Sequence, residues 1–114
     1  MKYMQICQGT TLLTTVGVAD NYFLRLWGLI GRSAEDIGGL LICPCNQVHT
    51  WFMSEPIDIV YLDRSGIILR IDRDIPAWKM LRAERKGKKV LELPAGMTNE
   101  LGLDCGTELC LKSQ

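Results

Sequence analysis

Scarcities define this chain before any motif does. Its 114 residues hold one histidine, four prolines, two phenylalanines and no surplus of either charge. A lone His49 rules out a centre built on several imidazoles. Thirteen basic residues against thirteen acidic ones give a formal net charge of zero, without the Lys and Arg excess that a general polyanion binder needs. No apolar run approaches the ~20 residues of a membrane-spanning helix. At the N-terminus, Gln and Thr interrupt MKYMQICQGTTLLTTVGVAD before a signal-peptide core can form. No repeat, low-complexity tract or Ser/Gly/Pro-rich linker divides the sequence, so residues 1–114 read as one domain. LPAGMTNELG lacks the Lys-Ser/Thr of a phosphate loop and no dinucleotide fingerprint follows a strand, so no nucleotide cofactor is expected.

What is present is the composition of a globular domain, 47% hydrophobic and 23% charged. Five cysteines, Cys7, Cys43, Cys45, Cys105 and Cys110, are an odd number without disulfide-scaffold spacing. A domain this long buries roughly two-thirds of its unfolded surface without staples. Reduced thiols and a cytoplasmic location are the expectation.

Periodicity gives the elements. Residues 3–7 and 11–18 are rich in Thr, Val, Ile and Leu around Gly9 and Thr10, which predicts a strand pair. DNYFLRLWGLIGR at 20–32 repeats its apolar residues at three- and four-residue spacing behind the N-cap Asp20, predicting the main helix. GLLIC, QVHTWFM, IDIVYLD, IILRID, KVLEL and ELCLK read as strands, DRSG at 63–66 as a hairpin turn, and PAGMTNELG as one short helical turn ending at Gly102. These strands are too closely spaced for repeated βαβ crossovers. The expected fold is therefore α+β: a compact, β-rich, barrel-like and mostly antiparallel sheet with one main and one short helix.

Four blocks, LWGLIGR, CNQVHTWFM, PIDIVYLDRSGIIL and VLELPAGMTNELGLDCGTEL, resemble the domain of unknown function 192 family, in order, over roughly residues 16–112. The resemblance implies a single small bacterial or archaeal domain dominated by β-strands. It implies no reaction, cofactor or catalytic residue. Ser54 stands where many relatives carry a basic residue, and the signal peptide or lipid anchor of many relatives has no counterpart, so their extracytoplasmic role is not expected to carry over.

The densest chemistry lies in CPCNQVHTWFMSEPID. Cys43, Cys45, His49, Trp51 and Met53 share parity, and on one continuous strand they face the same way. A soft-metal site would suit these ligands, but an extended chain from Cys43 to His49 spans ~20 Å, so no metal is expected. Cys45 as nucleophile, His49 as base and Asp58 as orienting carboxylate would make a small hydrolase or transferase, although no nucleophile signature surrounds the cysteine. Asp58 shares the apolar face of Val60 and Leu62 in IDIVYLD, so it must be ion-paired, cap backbone or face a ligand. Arg32 and Arg25 are its expected partners.

Trp27, Phe52, Trp51 and Trp78 are candidates for a groove, with Trp78 the expected surface anchor behind IPA. Residues 79–89 hold six of the thirteen basic residues and one acid, a local balance of +5 that leaves −5 on the rest of the chain. A solvated connection accounts for such a run, and an anionic partner is the functional alternative. Nucleic acid is not the expected partner, because only Trp78 accompanies the run. The leading expectation is a non-catalytic binding or accessory module for a small ligand, peptide or protein, its groove lined by Arg32, His49, Trp51, Met53 and Asp58.

Overall fold

The computed structural model describes residues 2–19, 38–51 and 55–114. The expected helix at 20–32, with Arg25, Trp27 and Arg32, lies outside the described residues, as do Phe52, Met53 and Ser54.

Among the described residues, seven strands make one sheet. Lys2–Gln8 (β1) and Thr11–Ala19 (β2) form the expected antiparallel pair, turning at Gly9 with φ 60°. Leu40–Ile42 (β3) runs parallel to β2, from Gly17↔Leu40 to Ala19↔Ile42. Ile57–Leu62 (β4) and Ile68–Ile75 (β5) form the central hairpin. Its turn is held by Asp63, whose Oδ1 accepts the N–H groups of Ser65 at 2.8 Å and Ile67 at 3.0 Å. Lys89–Pro94 (β6) inserts between β3 and β4, and Met97–Glu100 (α1) is the short helix expected before Gly102. Cys110–Ser113 (β7) pairs with β1. The order is β5-β4-β6-β3-β2-β1-β7, antiparallel except at β2–β3. The sheet is not closed, since β5 and β7 stand at its ends.

QVHTWFM is not the expected strand. Its described part, 47–51, carries only the single bridge His49↔Met80. Parity along it therefore does not gather Cys43, Cys45, His49 and Trp51 on one strand face.

Both faces of the central strands are buried, which explains the nearly unbroken apolar run of β4. One face packs Ile42, Ile57, Ile59, Tyr61 and Val90; the other packs Val60, Leu62, Leu91 and Leu93. Glu92 is fully buried on β6, paired in register with Leu40 and Ile59. β3 fits because Gly39 precedes it. Its φ is +129°, and a Cβ there would sit 2.6 Å from the Glu92 carbonyl oxygen and 2.8 Å from Leu93 Cδ2.

Candidate functional site

Two loop segments lie side by side and build the most conspicuous surface of the described residues. The Leu81 N–H donates to the Val48 carbonyl at 3.1 Å, and the Glu84 N–H to that of Asn46 at 2.8 Å. Thr50 is the staple between them. Its N–H donates to the Lys79 carbonyl at 2.8 Å, and its carbonyl accepts the Trp78 N–H at 3.1 Å. Its buried hydroxyl donates to the Pro76 carbonyl at 2.6 Å and accepts the Lys79 N–H at 2.9 Å. Val48 and Thr50 point inward, and the residues alternating with them, His49 and Trp51, are left outside.

The outward side chains are large and apolar. Trp51 is 40% exposed, Trp78 64% and Met80 60%. Stacking of the His49 and Trp51 rings, with centroids 4.7 Å apart and planes 28° from parallel, gives a flat platform. Trp78 is held at φ 67°, a left-handed backbone that a bulky residue rarely adopts. Such conformations persist only where surrounding bonds over-determine them, and here Thr50 bonds the Trp78 N–H and both Pro76 and Lys79 around it.

His49 Nδ1 accepts the Trp51 N–H at 3.3 Å, so the ring carries its proton on Nε2. Partial burial lowers the His49 pKa below the usual imidazole value, and a backbone hydrogen bond at the same residue opposes that shift.

Beneath the basic run lies an anchored arginine. The Arg70 guanidinium sits 3.9 Å over the Tyr61 ring, and its Nη2 donates to Asp72 Oδ2 at 2.9 Å and to the Arg82 carbonyl at 2.8 Å. Its Nη1 lies 3.7 Å from Glu84 Oε1. Arg70 thus ties β5 to the middle of the 79–89 segment and holds Arg82 and its neighbours beside the aromatic ribbon. Burial opposes the Arg70 charge, but Asp72 and Tyr61 outweigh it, so its pKa rises; burial followed by the Asp72 charge raises that of Tyr61.

Asp58 is elsewhere. It is fully buried on the Val60 and Leu62 face of β4. Oδ1 accepts the Asp74 N–H at 2.9 Å, and Oδ2 accepts the Gly96 and Thr98 N–H groups, each at 3.1 Å, and the Thr98 hydroxyl at 2.6 Å. It therefore fastens the end of β5, where Asp74 has φ 53°, to the loop entering α1. The Arg73 Nε donates to the same Thr98 hydroxyl oxygen at 3.1 Å. Arg25 and Arg32, the expected partners, lie outside the described residues.

Of the expected site residues, the structure brings together His49 and Trp51 and adds Trp78 and Met80. It does not bring Asp58 to them. Cys45 and Val48 pack against the opposite sheet face from the one that carries Asp58. The Cys45 thiol donates to the Gln47 carbonyl at 3.2 Å. Cys45, His49 and Asp58 therefore share no cleft among the described residues. Thr50, Arg70 and Met80 were not read from sequence as site residues. Thr50 does carry a signal, since it shares the parity of buried Val48. Among the described residues, no group of three or more His, Cys, Asp or Glu side chains could hold a metal, and no helix is long and apolar enough to cross a membrane.

Fold and surface together define a β-rich domain that displays an aromatic ribbon beside a basic segment. The chain belongs to the DUF192 family, described as an uncharacterized ACR, whose model matches residues 4–111. It is 27% identical over 99 residues to a UPF0127 protein of Thermococcus sibiricus, covering 82% of this chain and 64% of that protein's length. It is 25% identical over 111 residues to a UPF0127 protein of Pyrococcus furiosus, covering 93% and 94%. These sequence relatives are archaeal rather than bacterial. A Sinorhizobium meliloti crystal structure, described as a candidate transcription regulator, matches with a TM-score of 0.76 at 21% identity, covering 96% of this chain and 92% of that one. A Novosphingobium aromaticivorans protein of unknown function matches at 0.75 and 17%, covering 95% and 83%. At these identities the two structures show a shared fold alone.

Proposed function

We propose that the protein is a non-catalytic binding module whose recognition surface is the ribbon of His49, Trp51, Trp78 and Met80, and whose partner is an acidic protein segment carrying apolar side chains. The observation that supports this reading most is the fixed exposure of Trp78. A large, exposed apolar side chain sits on a strained backbone whose own N–H, with its neighbours Pro76 and Lys79, is hydrogen-bonded to one buried threonine. Covering that side chain removes on the order of 150 Å² from water, about 3–4 kcal/mol gross at ~25 cal/mol/Å². Aromatic residues of this kind are the usual anchors of protein interfaces.

Charge selects the partner. Lys79, Arg82, Arg85 and Lys86 follow Trp78 along the same segment in a chain that is otherwise net negative, so an acidic segment is attracted to this segment and repelled from the rest. In this reading the sheet is a rigid, barrel-like support. Its ends are tied by the Ile68 N–H to the Thr107 carbonyl at 2.9 Å and the Leu109 N–H to the Gly66 carbonyl at 2.8 Å. A reducing cytoplasmic setting is part of this reading, in keeping with an odd number of cysteines without disulfide-scaffold spacing.

Tryptophan fluorescence tests the proposal. Titration with a synthetic peptide alternating Glu with Leu and Trp-free aromatic residues is expected to shift the emission. A Lys-for-Glu counterpart is expected to bind at least tenfold more weakly. Trp78→Ala or Met80→Ala should each reduce affinity for the acidic peptide about tenfold, the effect of ~1.4 kcal/mol. Equal binding of both peptides, or affinity indifferent to both substitutions, would overturn it.

A further inference from the structure

Two of the five cysteines occupy directly opposed positions in the sheet, a relation that spacing in the sequence does not reveal. In the β1–β7 ladder, Cys7 faces Cys110, next to the pair Ile6↔Leu111. Opposed residues of an antiparallel pair point to the same side, with Cα atoms roughly 4.5–5.5 Å apart. That separation falls within the ~4.4–6.8 Å a disulfide accepts. The two thiols differ in access: Cys7 is buried and Cys110 is exposed. Next to Cys7, the β1–β2 register shifts between Ile6 and Cys7, an irregularity of the kind that bends a strand and re-aims a side chain.

Cys110 also borders a cavity of about 450 Å³, lined by Arg64, Ser65, Lys89 and Glu108 and by the backbone of Gly66. This volume suits a small molecule. Two cations against one carboxylate leave the cavity net positive. An exposed thiol, a buried thiol opposite it and a cationic cavity beside them are the parts that thiol–disulfide exchange with an anionic ligand requires.

We propose that Cys110 and Cys7 are an attacking and a resolving thiol for a small anionic disulfide bound between Arg64 and Lys89. The Cys110 thiolate attacks one sulfur of the disulfide RSSR. A Cys110–S–S–R bond forms, the S–S bond of the ligand breaks, and RS⁻ leaves and takes a proton from water. The Cys7 thiolate then attacks Cys110 Sγ, forming the Cys7–Cys110 bond and expelling the second RS⁻. Two protein thiols lose two electrons and two protons, and the ligand is reduced to two RSH. The site is independent of the aromatic ribbon and uses none of its side chains.

The test follows the reduced full chain as it reacts with oxidised glutathione, which is anionic, and with cystamine, which is cationic. Samples are acid-quenched, alkylated and mapped by mass spectrometry. With oxidised glutathione, the first adduct is expected at Cys110, at least about tenfold faster than at the exposed Cys105, and it converts to a Cys7–Cys110 linked peptide. With cystamine the preference for Cys110 over Cys105 should disappear, as it should for oxidised glutathione in the Arg64→Ala/Lys89→Ala variant. Cys7→Ser should stop at the mixed disulfide. Cys110→Ser, a change at an exposed position, should leave Cys7 unmodified. A first adduct at Cys105, Cys43 or Cys45, or no Cys7–Cys110 peptide in the wild-type chain, would overturn the proposal.

Discussion

Replacing Asp58 by Ala should be among the most damaging single changes in the molecule, and the structure sets the scale. The carboxylate accepts three backbone N–H groups, from Asp74, Gly96 and Thr98, together with the Thr98 hydroxyl. Removing it strands the Thr98 N–H and hydroxyl in a buried site and leaves the half-buried N–H groups of Asp74 and Gly96 to find other acceptors. Each buried orphan costs about 1–3 kcal/mol, offset where the loop can relax and hydrate. A net loss of about 3–5 kcal/mol is expected. For a domain of this size that lowers the thermal midpoint by roughly 12–20 °C, at ~4 °C per kcal/mol. Asp58→Asn should cost less than Asp58→Ala yet still destabilise, because with its oxygen in the place of Oδ2 its NH₂ group faces the Asp74 N–H, a donor that needs an acceptor. Circular dichroism melts of both variants measure this. A midpoint within 3 °C of wild type for Asp58→Ala would refute the reasoning, since it would mean that the three N–H groups find other acceptors at no cost.

Three further changes probe other parts of the account. Thr50→Val keeps shape but removes the hydroxyl that bonds the Pro76 carbonyl and the Lys79 N–H. It should cost about 1–3 kcal/mol and alter Trp78 emission in the folded state; denaturant titration with fluorescence reads both, and unchanged emission would detach Trp78 from its staple. Gly39→Ala should destabilise by on the order of 3 kcal/mol, through its positive φ and the approach of the Glu92 carbonyl, whereas a stable Ala variant would mean that β2 and β6 separate freely. For His49, the folded state favours the neutral ring because burial lowers its pKa. The stability it contributes is present above pH ~6.5, the unfolded value, and is lost as pH falls through the lower folded pKa. Thermal midpoints of wild type minus His49→Gln should therefore decline on acidification below pH ~6.5; a difference that grows instead would reverse the sign of the effect.

Much of the sheet was legible because its information is local. The β4 run and the DRSG turn needed only period, β-branching and an Asx-type turn, and the parity of Asp58 with Val60 and Leu62 correctly announced a carboxylate on an apolar face. Its partners were not legible, since Gly96 and Thr98 lie 38 and 40 residues away and nothing near IDIVYLD encodes that approach. QVHTWFM misled for a related reason. Its alternation is genuine, with Val48 and Thr50 inward, but its bonds go to an irregular segment at 78–81 rather than to a ladder. Trp78 was recognisable as a surface anchor from its loop-like setting, whereas Trp51, His49 and Met80 became its neighbours only through that long-range pairing. The basic run read as a solvated connection. Arg70, which fixes its course, sits in a strand whose alternation gives no hint that a guanidinium lies over Tyr61.

The claim on which the functional account rests is that the aromatic ribbon and its basic border act as one recognition surface. Titrating the isotope-labelled full chain with the acidic peptide, and following amide and indole resonances by NMR, examines it residue by residue. The account predicts shifts concentrated at the Trp51 and Trp78 indoles and at the amides of 79–86, weakening as salt is raised. Shifts that instead gather around Arg64, Lys89 and Cys110, or that leave both indoles unmoved at saturation, would contradict it.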